Sequence, residues 1–175
     1  DGPGGGVWKG RKAKAAIPGG ISMGLLTEAE LDTPLDFSGP GKVGCLGLGT
    51  AAVVVIDETV SIVDFLHNSC RFFAHESCGQ CTPCREGTSW SLQMLERIKA
   101  GKGRFRDLDL LLEIGTSMGM MPGSTICGLA DGAAWPIKNA IQKFRGEFED
   151  YIRQTNPTGW MVTEPVSRLA IVATH

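Results

Sequence analysis

Three cysteines, Cys78, Cys81 and Cys84, stand at two-residue intervals in the run His75 to Gly87. That spacing lets a tight loop turn successive thiolates toward one centre, with Gly79 admitting an unusual backbone angle and Pro83 restraining the chain ahead of Cys84. A tetrahedral zinc or a four-iron cluster needs a fourth ligand, and a ferredoxin-type run would place it a few residues on, where this chain has Thr88. The fourth ligand therefore comes from afar, from Cys45, Cys70 or Cys127. Cys127 is favoured, because Ser124 to Leu129 is a glycine-flanked, non-helical stretch whose backbone can approach a bulky group. Structural zinc ribbons use two Cys-x-x-Cys pairs, whereas three evenly spaced cysteines and one distant cysteine match a cubane, in which each iron takes one ligand. The order of preference is iron cluster, then zinc, then a thiol–disulfide switch.

The run from Glu76 to Gly87, followed by Thr125-Ile-Cys-Gly-Leu-Ala-Asp-Gly-Ala-Ala-Trp-Pro136, closely resembles the NADH-binding flavoprotein subunit of NADH:quinone oxidoreductase. The same module occurs in diaphorase subunits of NAD-linked hydrogenases and formate dehydrogenases. The resemblance runs from about Gly5 to about Ile152. It implies that Cys78, Cys81, Cys84 and Cys127 hold one 4Fe-4S cluster, and that Gly128 and Leu129 lie near a flavin. FMN and NADH would bind N-terminal to this part, so these residues alone would not oxidise NADH. The implied partners are a thioredoxin-like 2Fe-2S subunit and further iron–sulfur subunits. The implied location is the peripheral arm of a membrane-bound complex, on its cytoplasmic or matrix side.

Other residues near the cysteines have two readings each. Arg85 either adds positive charge beside an anionic cluster or pairs with Glu86 or Glu147. Helix starts near Arg85 and Pro136 would add dipoles and free amides. Trp90 and Trp135 would shield the site from water or simply pack. His67 and His75 read as packing or capping residues rather than ligands, and Cys45 and Cys70 as buried thiols.

These groups need elements to position them, and the apolar pattern predicts an α+β chain. Residues 1–57 read as a small β-containing domain, with turns at Pro18 to Gly20 and Gly39 to Gly41 and a central strand at Ala51 to Ile56 covered on both faces. The resemblance makes this a partial ubiquitin-like β-grasp domain of the soluble-ligand-binding kind. Residues 58–154 read as a four-helix bundle carrying the cluster. Its first helix starts at Asp57 to Thr59 and buries Val63, Leu66, Cys70 and Phe73. A second runs from Arg85 to Ala100, a third carries Leu108, Leu111, Leu112, Gly115 and Met118, and a fourth starts at Pro136 and reaches Ile152. Residues 155–175 read as a tail, with Leu169 to Val172 a short strand or a docking segment.

Composition narrows the function classes. A chain of 175 residues, 42% hydrophobic and 21% charged, is ordinary for a globular protein. Its formal net charge of −2 gives no general attraction to nucleic acid or anionic membranes, and the basic run Lys9 to Lys14 reads as a solvated loop. The apolar run Ala51 to Ile56 is far shorter than the roughly 20 residues of a membrane span. The absence of an initiating Met and the glycine-rich opening read as the middle of a longer protein. The leading expectation is an electron-relay module of an NADH dehydrogenase. The alternatives are a zinc-stapled docking domain and a hydrogenase or formate dehydrogenase diaphorase.

Overall fold

Apolar Ala15 and Ile17 belong to a short strand, β1 (Ala13–Ile17), which lies in the middle of a three-stranded antiparallel sheet. Its neighbours are β2 (Leu26–Thr27) and β3 (Val54–Asp57), in the order β2-β1-β3. Ala16 stands opposite Leu26 on one side and Val55 on the other. The computed structural model describes residues 4–119 and 123–161. The expected tail strand at Leu169 to Val172 lies outside them.

β3 departs from the expectation of a covered central strand. Among the described residues it is a sheet edge, and only Ile56 is buried, while Val53, Val54 and Val55 are about half exposed. β-Branched residues explain why the segment is a strand, but strand order decides its coverage, and here β1 takes the middle place. The basic run also differs from a solvated loop. Arg11 pairs with Asp57 at 3.0 Å, and Lys14 on β1 pairs with Glu147 at 2.8 Å.

A short helix, α1 (Gly39–Lys42), precedes β3, and five longer helices follow. α2 (Ile62–Glu76) begins after Ser61, whose Oγ accepts from the Asp64 amide. The cap expected at Asp57 to Thr59 is displaced because Asp57 Oδ1 instead accepts from the Thr59 amide and hydroxyl at 2.8 and 2.6 Å, closing a local turn. Val63, Leu66, Cys70 and Phe73 are buried as the helical period requires. α3 (Thr82–Arg97) starts three residues earlier than Arg85, because Pro83 near its N-terminus forfeits only an amide that has no helical partner there. It widens over Ile98–Lys102 and turns at Gly101, whose φ is +73°. α4 (Phe105–Met118) is capped by Asp107, whose Oδ2 accepts from the Arg104 amide at 2.8 Å.

The expected fourth helix is two helices, and Pro136 does not begin either. α5 (Leu129–Lys143) runs through Pro136, the chain breaks at Phe144 (φ −122°, ψ 24°), and α6 (Arg145–Thr155) follows. Ala130, Gly132, Ala133 and Ala134 are all buried, so packing of this small-residue turn carries the helix across a proline that removes one ladder hydrogen bond. A Cβ on Gly132 would stand 2.8 Å from Ser22 Oγ, which shows how closely α5 approaches the Ile21–Met23 turn.

One buried core joins both parts: Ala15, Ile17, Leu25 and Ile56 belong to the same cluster as Leu66, Leu95, Leu111, Ile137 and Phe148. Polar ties reinforce the seam. Asn139 Oδ1 accepts from the Leu25 amide at 3.0 Å, and Lys143 Nζ donates to the carbonyls of Leu25 and Val43 at 2.8 and 2.7 Å. Among the described residues no helix is long and apolar enough to cross a membrane.

Candidate metal centre

α2 delivers the chain to the cysteine loop. The Ser77 amide donates to the Phe73 carbonyl at 3.1 Å, closing the helix, and Gly79 then takes φ +75°, a left-handed angle that glycine adopts without strain. Cys81 is the residue just before α3, and Cys84 lies in its first turn, where it is buried. Ser124 to Cys127 forms a bend, Gly128 precedes α5, and the Gly132 amide donates to the Gly128 carbonyl at 2.9 Å.

These two stretches meet. Cys78, Cys81, Cys84 and Cys127 all line one small cavity of about 120 Å³, with Leu129 and Ala130 on its wall. The Ile126 amide donates to Cys81 Sγ at 3.3 Å, bridging residues far apart in the chain. Cys78 and Cys127 are exposed and Cys81 is half-buried, so the cavity opens toward the surface. Cys45 and Cys70 are buried and do not line it. Burial pushes the Cys70 thiol up to about 12 and raises Cys45 as well, which suits packed, protonated thiols.

Four thiols around one space are a donor set that fits iron or zinc. A zinc ion draws its sulfurs to about 2.3 Å from a single point, and among the described residues no three His, Cys, Asp or Glu side chains are grouped to hold one ion. Both α3 and α5 begin at the cavity, so their free amides and dipole ends would stabilise an anionic group held there. The second helix start is thus Leu129, directly after the Cys127 bend, and not Pro136.

Several flanking residues take definite roles. Arg85 Nη1 donates to the Gly79 carbonyl at 2.7 Å, while Nε pairs with Glu86 at 3.0 Å, so this side chain straps the loop and makes an ion pair together. Glu147 is engaged elsewhere, by Lys14 and the Ile62 amide. Trp90 and Trp135 do not wall the cavity: Trp90 is about half exposed beside Pro83 and Ile114, and Trp135 carries Lys138 Nζ 5.1 Å above its ring. Leu129 and Ala130 take the place expected of the tryptophans. His75 is exposed and bonded to Glu76, and His67, lowered by burial and by nearby Lys99, is no ligand of this site. One contact is not foreseeable from the sequence: Ser77 Oγ lies 3.3 Å from Cys84 Sγ. Its only sequence signal is a hydroxyl residue at the junction of helix and cysteine loop.

Residues 64–151 match the model of the NADH-ubiquinone oxidoreductase-F iron-sulfur binding region. The chain belongs to this family. It is 45% identical over 148 residues to the F-type subunit of NADH-quinone oxidoreductase from Streptomyces coelicolor, covering 85% of this chain and 32% of that one. It is 43% identical over 150 residues to the corresponding F-type subunit from Escherichia coli, covering 86% and 33%. Among solved structures, an NAD+-reducing [NiFe]-hydrogenase in the H2-reduced state superposes with a TM-score of 0.69 at 33% identity, over 81% of this chain and 24% of that one. The chain thus spans about a third of the length of the curated relatives it matches. A cluster-binding family gives the four-cysteine cavity its chemical meaning.

Proposed function

We propose that this chain is the electron-relay part of an NADH dehydrogenase flavoprotein subunit, with Cys78, Cys81, Cys84 and Cys127 holding a 4Fe-4S cluster. The observation that carries the reading is the meeting of all four cysteines on one cavity, in a chain of an iron–sulfur family. Such a cluster takes up and releases one electron at a time. The chain's own residues supply four thiolates, two helix ends with free amides, an amide bonded to Cys81, and an apolar wall from Leu129 and Ala130.

The wider assignment follows from relatives about three times as long. FMN and NADH bind in a region outside residues 1–175, and Gly128 and Leu129, at the start of α5, lie toward the flavin. Electrons pass on to a thioredoxin-like 2Fe-2S subunit or further iron–sulfur subunits in the peripheral arm of a complex. The β2-β1-β3 sheet belongs to a β-grasp domain in residues 1–57, and residues 58–154 form the cluster-bearing bundle, with 155–175 following it in the chain. The hydrogenase likeness supports a second reading, a diaphorase subunit, which uses the same cluster and differs only in the assembly around it.

The test is metal content after anaerobic reconstitution with iron and sulfide. About four irons and four sulfides per chain are expected, with loss or conversion of the cluster in Cys127→Ser and retention in Cys45→Ser and Cys70→Ser. Stoichiometric zinc without iron would instead establish a zinc-stapled docking domain. Loss of iron in Cys45→Ser but not in Cys127→Ser would refute the fourth ligand.

A further inference from the structure

We propose that Ser77 sets the reduction potential of the cluster by donating its hydroxyl hydrogen to the sulfur of Cys84. The inference rests on Cys84 being an iron ligand.

Ser77 Oγ and Cys84 Sγ are 3.3 Å apart, and the backbone on both sides of the contact is fixed. The Ser77 amide closes α2 on the Phe73 carbonyl, and Cys84 is held in the first turn of α3. The Gly79 amide donates to Ser77 Oγ at 3.4 Å, a long bond that occupies a lone pair of the oxygen and leaves the hydroxyl hydrogen to point elsewhere. Between two neutral groups either atom could donate. A metal-bound thiolate carries no hydrogen, so there Ser77 is the donor and Cys84 the acceptor.

Among the described residues, three nearby donors serve other acceptors. Thr88, one turn further along α3, is committed to the Cys84 carbonyl at 2.8 Å rather than to the sulfur. The Ile126 amide serves Cys81, a different sulfur. Arg85 reaches the Gly79 carbonyl, Thr82 and Glu86. Cys84 is the most buried of the four thiols, so a hydrogen bond to it acts where water screens least.

The electron that reduces the cluster adds negative charge shared by its thiolates. A donor on Cys84 therefore stabilises the reduced form more than the oxidised form and raises the potential. Ser77 acts through the ligand it touches and is a positioning residue.

The experiment compares Ser77→Ala, Ser77→Val and Ser77→Thr in the iron-loaded protein, by redox titration of the electron paramagnetic resonance signal of the reduced cluster. Thr and Val have nearly the same volume, and only Thr keeps the hydroxyl. Ser77→Ala and Ser77→Val are expected to lower the reduced-to-oxidised ratio at the parent's midpoint about tenfold, which for a one-electron couple is a shift of about 59 mV. Ser77→Thr should stay near the parent value. Equal potentials in all loaded variants, or equal shifts in the Thr and Val variants, would overturn the role of the hydroxyl. Iron and sulfide analysis of the unsubstituted protein beside Cys84→Ser separately decides whether Cys84 is a ligand at all.

Discussion

Gly87 sits one turn beyond Cys84 on α3, where it faces Met118 on α4. A Cβ placed on Gly87 would stand 2.8 Å from Met118 Sδ, and 2.9 Å from both its Cγ and its Cβ. The sulfur could swing aside, but Met118 Cβ is fixed to the backbone of a fully buried residue, so Gly87→Ala must push α3 and α4 apart. Overpacking of this kind costs about 1–3 kcal/mol, with the upper half expected where the obstructing atom cannot rotate away. Against it, alanine in place of glycine inside a helix gains about 1 kcal/mol. The net expectation is destabilisation by about 1–2 kcal/mol, or a fall in Tm of about 2–8 °C for a protein of this size. Gly146 on α6 is the control, because it has open space where a Cβ would go. Gly146→Ala should stabilise by up to about 1 kcal/mol. Urea unfolding followed by circular dichroism measures both. Stabilisation of similar size in the two variants would refute the claim that α3 and α4 are in contact at Gly87.

Two further predictions concern titratable groups away from the cysteine cavity. With its pKa near 12 through burial, Cys70 presents only about one thiolate in 10⁴ at pH 8, so in metal-free folded protein iodoacetamide should modify exposed Cys78 and Cys127 and leave Cys70 intact. Peptide mass analysis reads this, and comparable labelling of Cys70 would contradict its placement on the buried face of α2. Asp57 is held at about 2, below its ordinary 3.8, by the Thr59 hydroxyl and then by Arg11. A depressed carboxyl stabilises the fold above its unfolded value, and that contribution is lost as pH falls from about 4 toward 2. Asp57→Asn should therefore flatten the decline of stability with acid across that window, and an unchanged slope in acid-dependent urea titrations would refute the pairing.

The cysteine spacing and the period of α2 and α4 are legible because each depends on residues close together in the chain. Val63, Leu66, Cys70 and Phe73 repeat at helical intervals whatever lies opposite them. The choice of Cys127 as the distant partner rests on glycine-flanked backbone, and the structure brings it to the same cavity as the three local cysteines. Sequence and structure part where a local rule meets a tertiary contact. Proline usually marks a first helical turn, but Pro136 lies mid-helix, with buried Ala130, Ala133 and Ala134 ahead of it. The apolar run at Ala51 to Ile56 says strand but not strand order, so an edge reads as a centre. Trp90 and Trp135 neighbour the cysteine stretches in sequence, yet a helix turns successive side chains away by about 100°, enough to carry both rings off the cavity.

The true start of α5 matters to the chemistry more than its length suggests. A helix starting at Pro136 would leave its free amides more than two turns from Cys127, whereas a start at Leu129 sets them beside the last thiol. The two cysteine stretches then occupy equivalent positions, each at the entrance to a helix. Their separation is governed by how closely α3 packs on α4 and α4 on α5. Small residues lie at both seams: Gly87 meets Met118, and a Cβ on Gly119 would come within 2.7 Å of Ala134 Cβ. Close seams draw α3 and α5 together around α4, and the Ile126–Cys81 bond joins the loops that precede them. The geometry of the four cysteines is thereby anchored to a buried core rather than to the loops that carry the sulfurs, an arrangement suited to the proposed relay, which must change charge without moving.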